Sequence, residues 1–260
     1  MTARNGQRGF SLVELMVALV AGMIVAGAVL AFTISSVRSN SEFVTSARLM
    51  QELRTISQYL EDELRRAGYD DDAMGYIASS SATAFSKFSP LLVDTSDADA
   101  NCIIYAYDRS PGTAGQIDLG NQEVRAVRRA EAVIDGVSVG VIEVAESSAG
   151  SAPACDGASP DYSKLPVPCA ASGWCAFSDP RTIDITAFLV DVDGAGSESH
   201  GLQEITSSGY TPMQIREAHV TLTGKLVNDA DTSRTIVSNI KVRANCLRAL
   251  VSDCSVAPTP

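Results

Sequence analysis

The 260 residues carry 20 Lys or Arg against 31 Asp or Glu, a formal net charge of −11. Residues 1–68 hold 7 basic and 6 acidic side chains, whereas residues 69–260 hold 13 and 25, so the acidic excess of 25 − 13 = 12 lies in the second part. Such a region cannot release phosphate counterions as nucleic-acid binding requires, which excludes direct nucleic-acid contact as a main activity.

The first element in chain order is a membrane helix. A short basic leader with Arg4 and Arg8, and no acidic residue, precedes an apolar run over residues 10–34 that only Glu14 interrupts. The 23 consecutive uncharged residues at 15–37 cover roughly 34 Å as a helix, enough to cross the hydrocarbon of a bilayer. The leader's positive charge keeps the N-terminus cytoplasmic and exports everything after residue 37. A secretory signal peptide has an apolar core of about 7 to 15 residues, and this one is longer, although Ala26-Gly27-Ala28 mimics a small-residue cleavage site. A plain anchor explains the length but not Glu14, since a charge at the centre of a span costs roughly 2.5 to 3.5 kcal/mol unless something compensates. A cut between Gly9 and Phe10 would place a new α-amine one helical turn before Glu14. There the helix dipole favours the carboxylate, and a neighbouring copy's amine can pair with it.

The string Gly9-Phe10-Ser11-Leu12-Val13-Glu14-Leu15, followed by an apolar helix, resembles the N-terminus of the type IV pilin superfamily. The resemblance implies that a prepilin peptidase cuts after Gly9, that Phe10 becomes the N-methylated end, and that Glu14 guides subunit docking in a filament. It also implies the partners: other minor and major pilins, the peptidase and an inner-membrane assembly platform. The chain would be a single-pass inner-membrane protein that later passes into a pilus.

Helical periodicity continues beyond the span. No Gly or Pro occurs from 42 to 67, and Phe43, Ala47, Met50, Leu53, Ile56, Leu60, Leu64 and Ala67 recur at threes and fours. Gly68 supplies a C-cap, so residues 11–67 predict a rod of about 85 Å. Glu61 and Asp62 fall on its polar face, where charges keep a helix soluble. Residues 69–95 read as a surface loop, and strands are predicted at 102–107, 124–128, 133–144, 182–190, 214–227 and 234–244. Loops rich in Gly, Pro, Ser and Asp separate them at 147–173 and 191–209. Arg125, Arg128 and Arg129, flanked by Glu123 and Glu131, read as a solvated strand edge. The fold class is α+β, of type IV pilin-like form, with a long N-terminal helix on an antiparallel sheet. Its parts are a leader at 1–9, a membrane and filament-core helix at 10–37, an amphipathic helix at 38–68 and an exported head at 69–260.

A second resemblance covers parts of the head. The helix at 53–69, the strand Cys102-Ile103-Ile104-Tyr105-Ala106-Tyr107-Asp108, and the pair at 215–226 and 234–245 resemble minor pilins of the PilW type and the related minor pseudopilins GspJ and PulJ. The family's closing arginine-asparagine signature is spelled here Arg243-Ala244-Asn245, and residues 147–179 have no counterpart in it. The resemblance implies a subunit that helps to initiate pilus assembly at or near the tip. Its alternatives are a minor pseudopilin of a type II secretion system and, from another class, a tip adhesin whose loops around Trp174 touch a surface. A membrane-anchored periplasmic enzyme would need clustered titratable residues, and the chain has two histidines, His200 and His219.

All six cysteines, Cys102, Cys155, Cys169, Cys175, Cys246 and Cys254, follow the span, as suits disulfides in an oxidising compartment. Fifteen connectivities are open. Closeness in sequence favours Cys169 with Cys175 and Cys246 with Cys254, leaving Cys102 with Cys155, each bond worth about 2 to 4 kcal/mol. Zinc fits poorly, because no CxxC pair occurs. The stretch from Asp191 through Asp193 to Glu198 offers oxygen ligands for calcium but departs from EF-hand spacing, so a solvated acidic turn is its ordinary reading. Gly136-Val137-Ser138-Val139-Gly140 matches GxSxG literally, but a turn and an alternating strand surround it instead of a strand-to-helix elbow. With no P-loop, dinucleotide fingerprint or HExxH, the chain calls for no cofactor and no catalytic residues.

Overall fold

The computed structural model of the protein describes residues 11–73, 86–99, 101–109, 112–148, 150–192, 213–214, 216–227, 229–244 and 246–247. Helix α1, Leu12–Arg66, runs through 55 residues. Contacts divide the chain into two compact units, residues 1–48 and residues 49–260. In the first, every described residue from 11 to 44 is exposed, including the all-round apolar stretch up to residue 34, which no other described residue covers. In the second, Leu49, Leu53, Ile56, Leu60, Leu64 and Ala67 are buried. The last five are on the predicted i, i+3, i+4 face, whereas Phe43 and Ala47, predicted there too, are exposed and Met50 is half-buried, because the compact unit begins at residue 49 and Leu49 takes the inward position. Gly68 follows the helix at φ +80°, a left-handed conformation that suits glycine, and its N–H turns to the carbonyl of Ala106 at 2.7 Å.

Two antiparallel sheets receive that stripe. The larger is ordered β1-β2-β3-β4-β5, with β1 Leu91–Asp94, β2 Cys102–Ala106, β3 Val124–Ile134, β4 Val137–Glu146 and β5 Trp174–Ala176. The smaller is ordered β6-β8-β9, with β6 Ile183–Val192, β8 Glu217–Leu226 and β9 Asp229–Lys241. A two-stranded piece joins β7, Met213–Gln214, to β10, Cys246–Leu247. Strand alternation then divides the apolar side chains into two cores. Ile103 and Tyr105 of β2 meet α1 together with Phe188, Val190, Val220 and Leu222 of the smaller sheet. Cys102, Ile104 and Ala106 face the other way, toward Phe88, Ile117 and Trp174.

Three details depart from the sequence reading. The predicted strand at 133–144 is two strands, because Asp135 (φ 51°) and Gly136 (φ 82°) form a two-residue turn with Ile134 paired to Val137. Both turn residues have positive φ, which matches the twist of a tight hairpin. The predicted loop at 69–95 contains edge strand β1, where Leu91-Leu92-Val93 pairs with Tyr105-Ile104-Ile103. The arginine group at 125–129 is no solvated edge. Its strand lies between β2 and β4, and Arg125 and Arg128 are buried.

Candidate functional site

The N-terminal site is built on the first turn of α1. Ser11, a residue type favoured at N-caps, precedes the helix, and its carbonyl accepts from the Leu15 N–H at 3.1 Å. Glu14 occupies that first turn, where the positive end of the dipole favours a carboxylate. It is exposed, and so are the apolar residues around and beyond it, among them Leu12, Leu15, Met16, Leu30 and Phe32. By length and composition α1 can cross a membrane, with an 18-residue window of mean hydropathy 2.6 and none of that window buried. Gly9 and Phe10, the predicted cleavage and methylation positions, lie outside the described residues.

The second cluster holds the other half of α1 to the larger sheet. Glu63 is 5% exposed and accepts from the Tyr105 and Tyr107 hydroxyls at 3.2 Å each and from Arg125 Nη1 at 3.1 Å. Arg125 bridges onward through Nη2 to Glu146 at 2.6 Å, and its Cζ lies 5.2 Å from the centroid of the Tyr107 ring. Burial pulls the Arg125 pKa down, but Glu63, followed by Tyr107 and Glu146, more than reverses this and holds the guanidinium above its ordinary value. Burial, then the charge of Glu63, pushes the Tyr105 phenol well up and that of neighbouring Tyr59 up to about 12. These bonds orient α1 about its axis on the sheet, since Glu63 projects from one point of the helix and its donors from β2, β3 and Tyr107. The sequence reading missed Glu63. Its position three after Leu60 and four before Ala67, on the buried stripe, was the available signal.

On the opposite face of the sheet Arg128 plays the corresponding part for the 147–173 loop. It donates through Nε and Nη2 to Glu143 Oε2 at 2.9 and 2.7 Å and through Nη1 to the Cys155 carbonyl at 2.6 Å. Its Cζ lies 4.1 Å from the Trp174 ring centroid, a cation–π contact. Glu143 also accepts from the Tyr162 hydroxyl at 2.8 Å. Disulfides join Cys102 to Cys155 and Cys169 to Cys175, while Cys254, the expected partner of Cys246, lies outside the described residues. Trp174 is fully buried and donates to the Ala154 carbonyl at 3.0 Å. It plugs the core beside Cys102, so an adhesive contact built on its indole has no exposed ring to use.

The remaining candidates are separated. Asp191 is exposed near the end of β6, opposite His219 in register, and Asp193 and Glu198 lie outside the described residues. Among the described residues no three His, Cys, Asp or Glu side chains are grouped to hold a metal ion. Ser138 of the literal GxSxG lies in β4 and donates to Glu131 at 2.7 Å.

Two family models match the chain. The one described as prepilin peptidase-dependent protein B covers residues 42–242, and the one described as the prokaryotic N-terminal methylation motif covers residues 4–30. No curated protein and no solved structure matches.

Proposed function

The chain belongs to the prepilin peptidase-dependent protein B family, and from that premise we propose that it is a minor pilin of the PilW type. Its work is assembly. The leader is removed after Gly9, Phe10 becomes the methylated terminus, and the subunit waits in the inner membrane with its head exported. The apolar surface of α1 then leaves lipid for the helices of neighbouring subunits. Glu14 selects the register by pairing with a neighbour's terminal amine, because an unpaired carboxylate in that apolar surround is costly. The head helps to start the filament and takes a place at or near the tip.

One observation carries this reading: the methylation-motif match at 4–30 coincides with a fully exposed apolar helix that has a carboxylate in its first turn. Mass spectrometry of the native protein in the assembled fraction tests it. The expected N-terminal peptide begins with N-methylated Phe10, and an intact Met1 there overturns the reading.

A further inference from the structure

We propose that Arg38 binds the phosphate of a phospholipid headgroup on the exported side of the membrane and so fixes the depth of α1 before assembly. The proposal rests on the pilin reading for which side is exported. No charge occurs between Glu14 and Arg38, which are 24 residues apart, or about 36 Å along a helix. The hydrocarbon of a bilayer is about 30 Å thick, and the whole bilayer with its headgroups about 40 to 45 Å. In an upright helix both charges therefore fall in headgroup layers, Glu14 on the cytoplasmic side and Arg38 on the other. A slip of one helical turn, about 5.4 Å, in either direction draws one of them toward hydrocarbon, where a charge is costly.

The local structure leaves Arg38 to an outside partner. It is exposed and forms no ion pair among the described residues. Glu42 lies four residues on, but a cation that precedes its acid is the less favourable order of an i, i+4 pair. Inward of Arg38, the Thr33 hydroxyl donates to the Val29 carbonyl at 2.8 Å, so it can lie in hydrocarbon with its hydrogen bond made inside the helix. Outward, Ser39-Asn40-Ser41-Glu42 is a polar run suited to a hydrated headgroup layer. Cations are usually biased to the cytoplasmic side of a span, and one directly past the exported end calls for an anion at that depth.

Charge and depth choose the occupant. A guanidinium is a planar fork of donors that matches phosphate oxygens, and its apolar stem can lie along the helix while the head reaches the interface. A bilayer presents phosphate all round the helix at this level. Carboxylates are scarce there: between residues 15 and 51 the only acid is Glu42, so a neighbouring copy in the same membrane has little else to offer. Until assembly Glu14 then stays hydrated at the opposite interface, and entry into a filament costs the Arg38 contact.

The test uses the full chain, isotope-labelled at the arginine guanidine carbons, in dioleoylphosphatidylcholine vesicles in a phosphate-free buffer, so that lipid is the only source of phosphorus. Solid-state NMR measures which guanidine carbons lie within contact distance of phosphorus. Part of the guanidine signal should be dephased by phosphorus, and Arg38→Gln should remove one arginine's share of that dephasing. Arg48→Gln, ten residues farther from the span, should leave it unchanged. Arg38→Lys keeps the charge and removes the labelled carbon, so it gives the same reading if the Gln variant fails to insert. Dephasing that is absent from the unsubstituted chain, or that survives in both Arg38 variants, overturns the proposal. The pilin reading fails on a separate measurement, the N-terminal peptide of the assembled fraction, which the vesicle experiment does not touch.

Discussion

Helix α1 carries two carboxylates in opposite circumstances. Glu14 lies in the exposed apolar unit, in the first turn of the helix, and forms no ion pair among the described residues. Glu63 lies in the head with two phenols and two guanidinium groups around it. An acid in a low-dielectric setting persists only with compensating charge or donors. The head provides them for Glu63, and under the proposed function a neighbouring subunit provides them for Glu14. One helix thus is a core element of the folded head at one end and an exposed apolar surface at the other.

Replacing each acid separates the two roles. Glu14→Gln should abolish or nearly abolish incorporation into filaments in living cells, while the urea midpoint of the head stays at the wild-type value. Unchanged incorporation would break the comparison, because the carboxylate would then have no partner to find. Glu63→Ala should do the reverse and destabilise the head by about 3 to 5 kcal/mol, the usual cost of stranding one member of a buried ion pair. Equilibrium urea denaturation of the detergent-solubilised chain measures it.

The contrast also explains what the sequence disclosed. Charge and hydropathy along the first 37 residues point to a helix long and apolar enough to cross a membrane, with an anomalous acid, because that signal is local. The buried stripe of α1 was equally legible from Leu53, Ile56, Leu60, Leu64 and Ala67. Glu63 was not, because a glutamate beside Glu61 and Asp62 reads as part of a solvated face, and only helical phase places it among the leucines. Arg125 and Arg128 were hidden for a related reason: a strand enclosed on both faces must bury whatever charges it carries, and enclosure depends on neighbours distant in sequence. Edge strand β1 escaped because four residues after a proline give too little alternation to count.

Alkaline titration sharpens the picture of the Glu63 surround by a smaller effect. Burial raises the phenols of Tyr59, Tyr105 and Tyr107. From pH 10, the ordinary phenol value, to about 12, where Tyr59 titrates, the unfolded chain gives up protons that the folded head retains. Head stability is therefore fully present below pH 10 and falls as pH rises through that window. Tyr59→Phe keeps the ring contact with Phe177, whose centroid is 4.5 Å away, and should flatten part of the decline. Urea midpoints measured at intervals from pH 9 to 12 would show it, and an unchanged slope would mean that Tyr59 ionises as freely folded as unfolded.

Glu61 supplies the third and mildest case on the same helix. It pairs with Arg65 one turn on, but both side chains are about a third or more exposed, at 33% and 42%. Water already solvates each partner, so Glu61→Gln should cost no more than about 0.5 kcal/mol and should leave incorporation into filaments intact. A loss approaching that of Glu63→Ala would mean that the position along α1, and not the surround of the carboxylate, governs its contribution. The three acids would then differ for reasons other than solvent access, and the division of α1 into an internally satisfied and an externally satisfied part would fail.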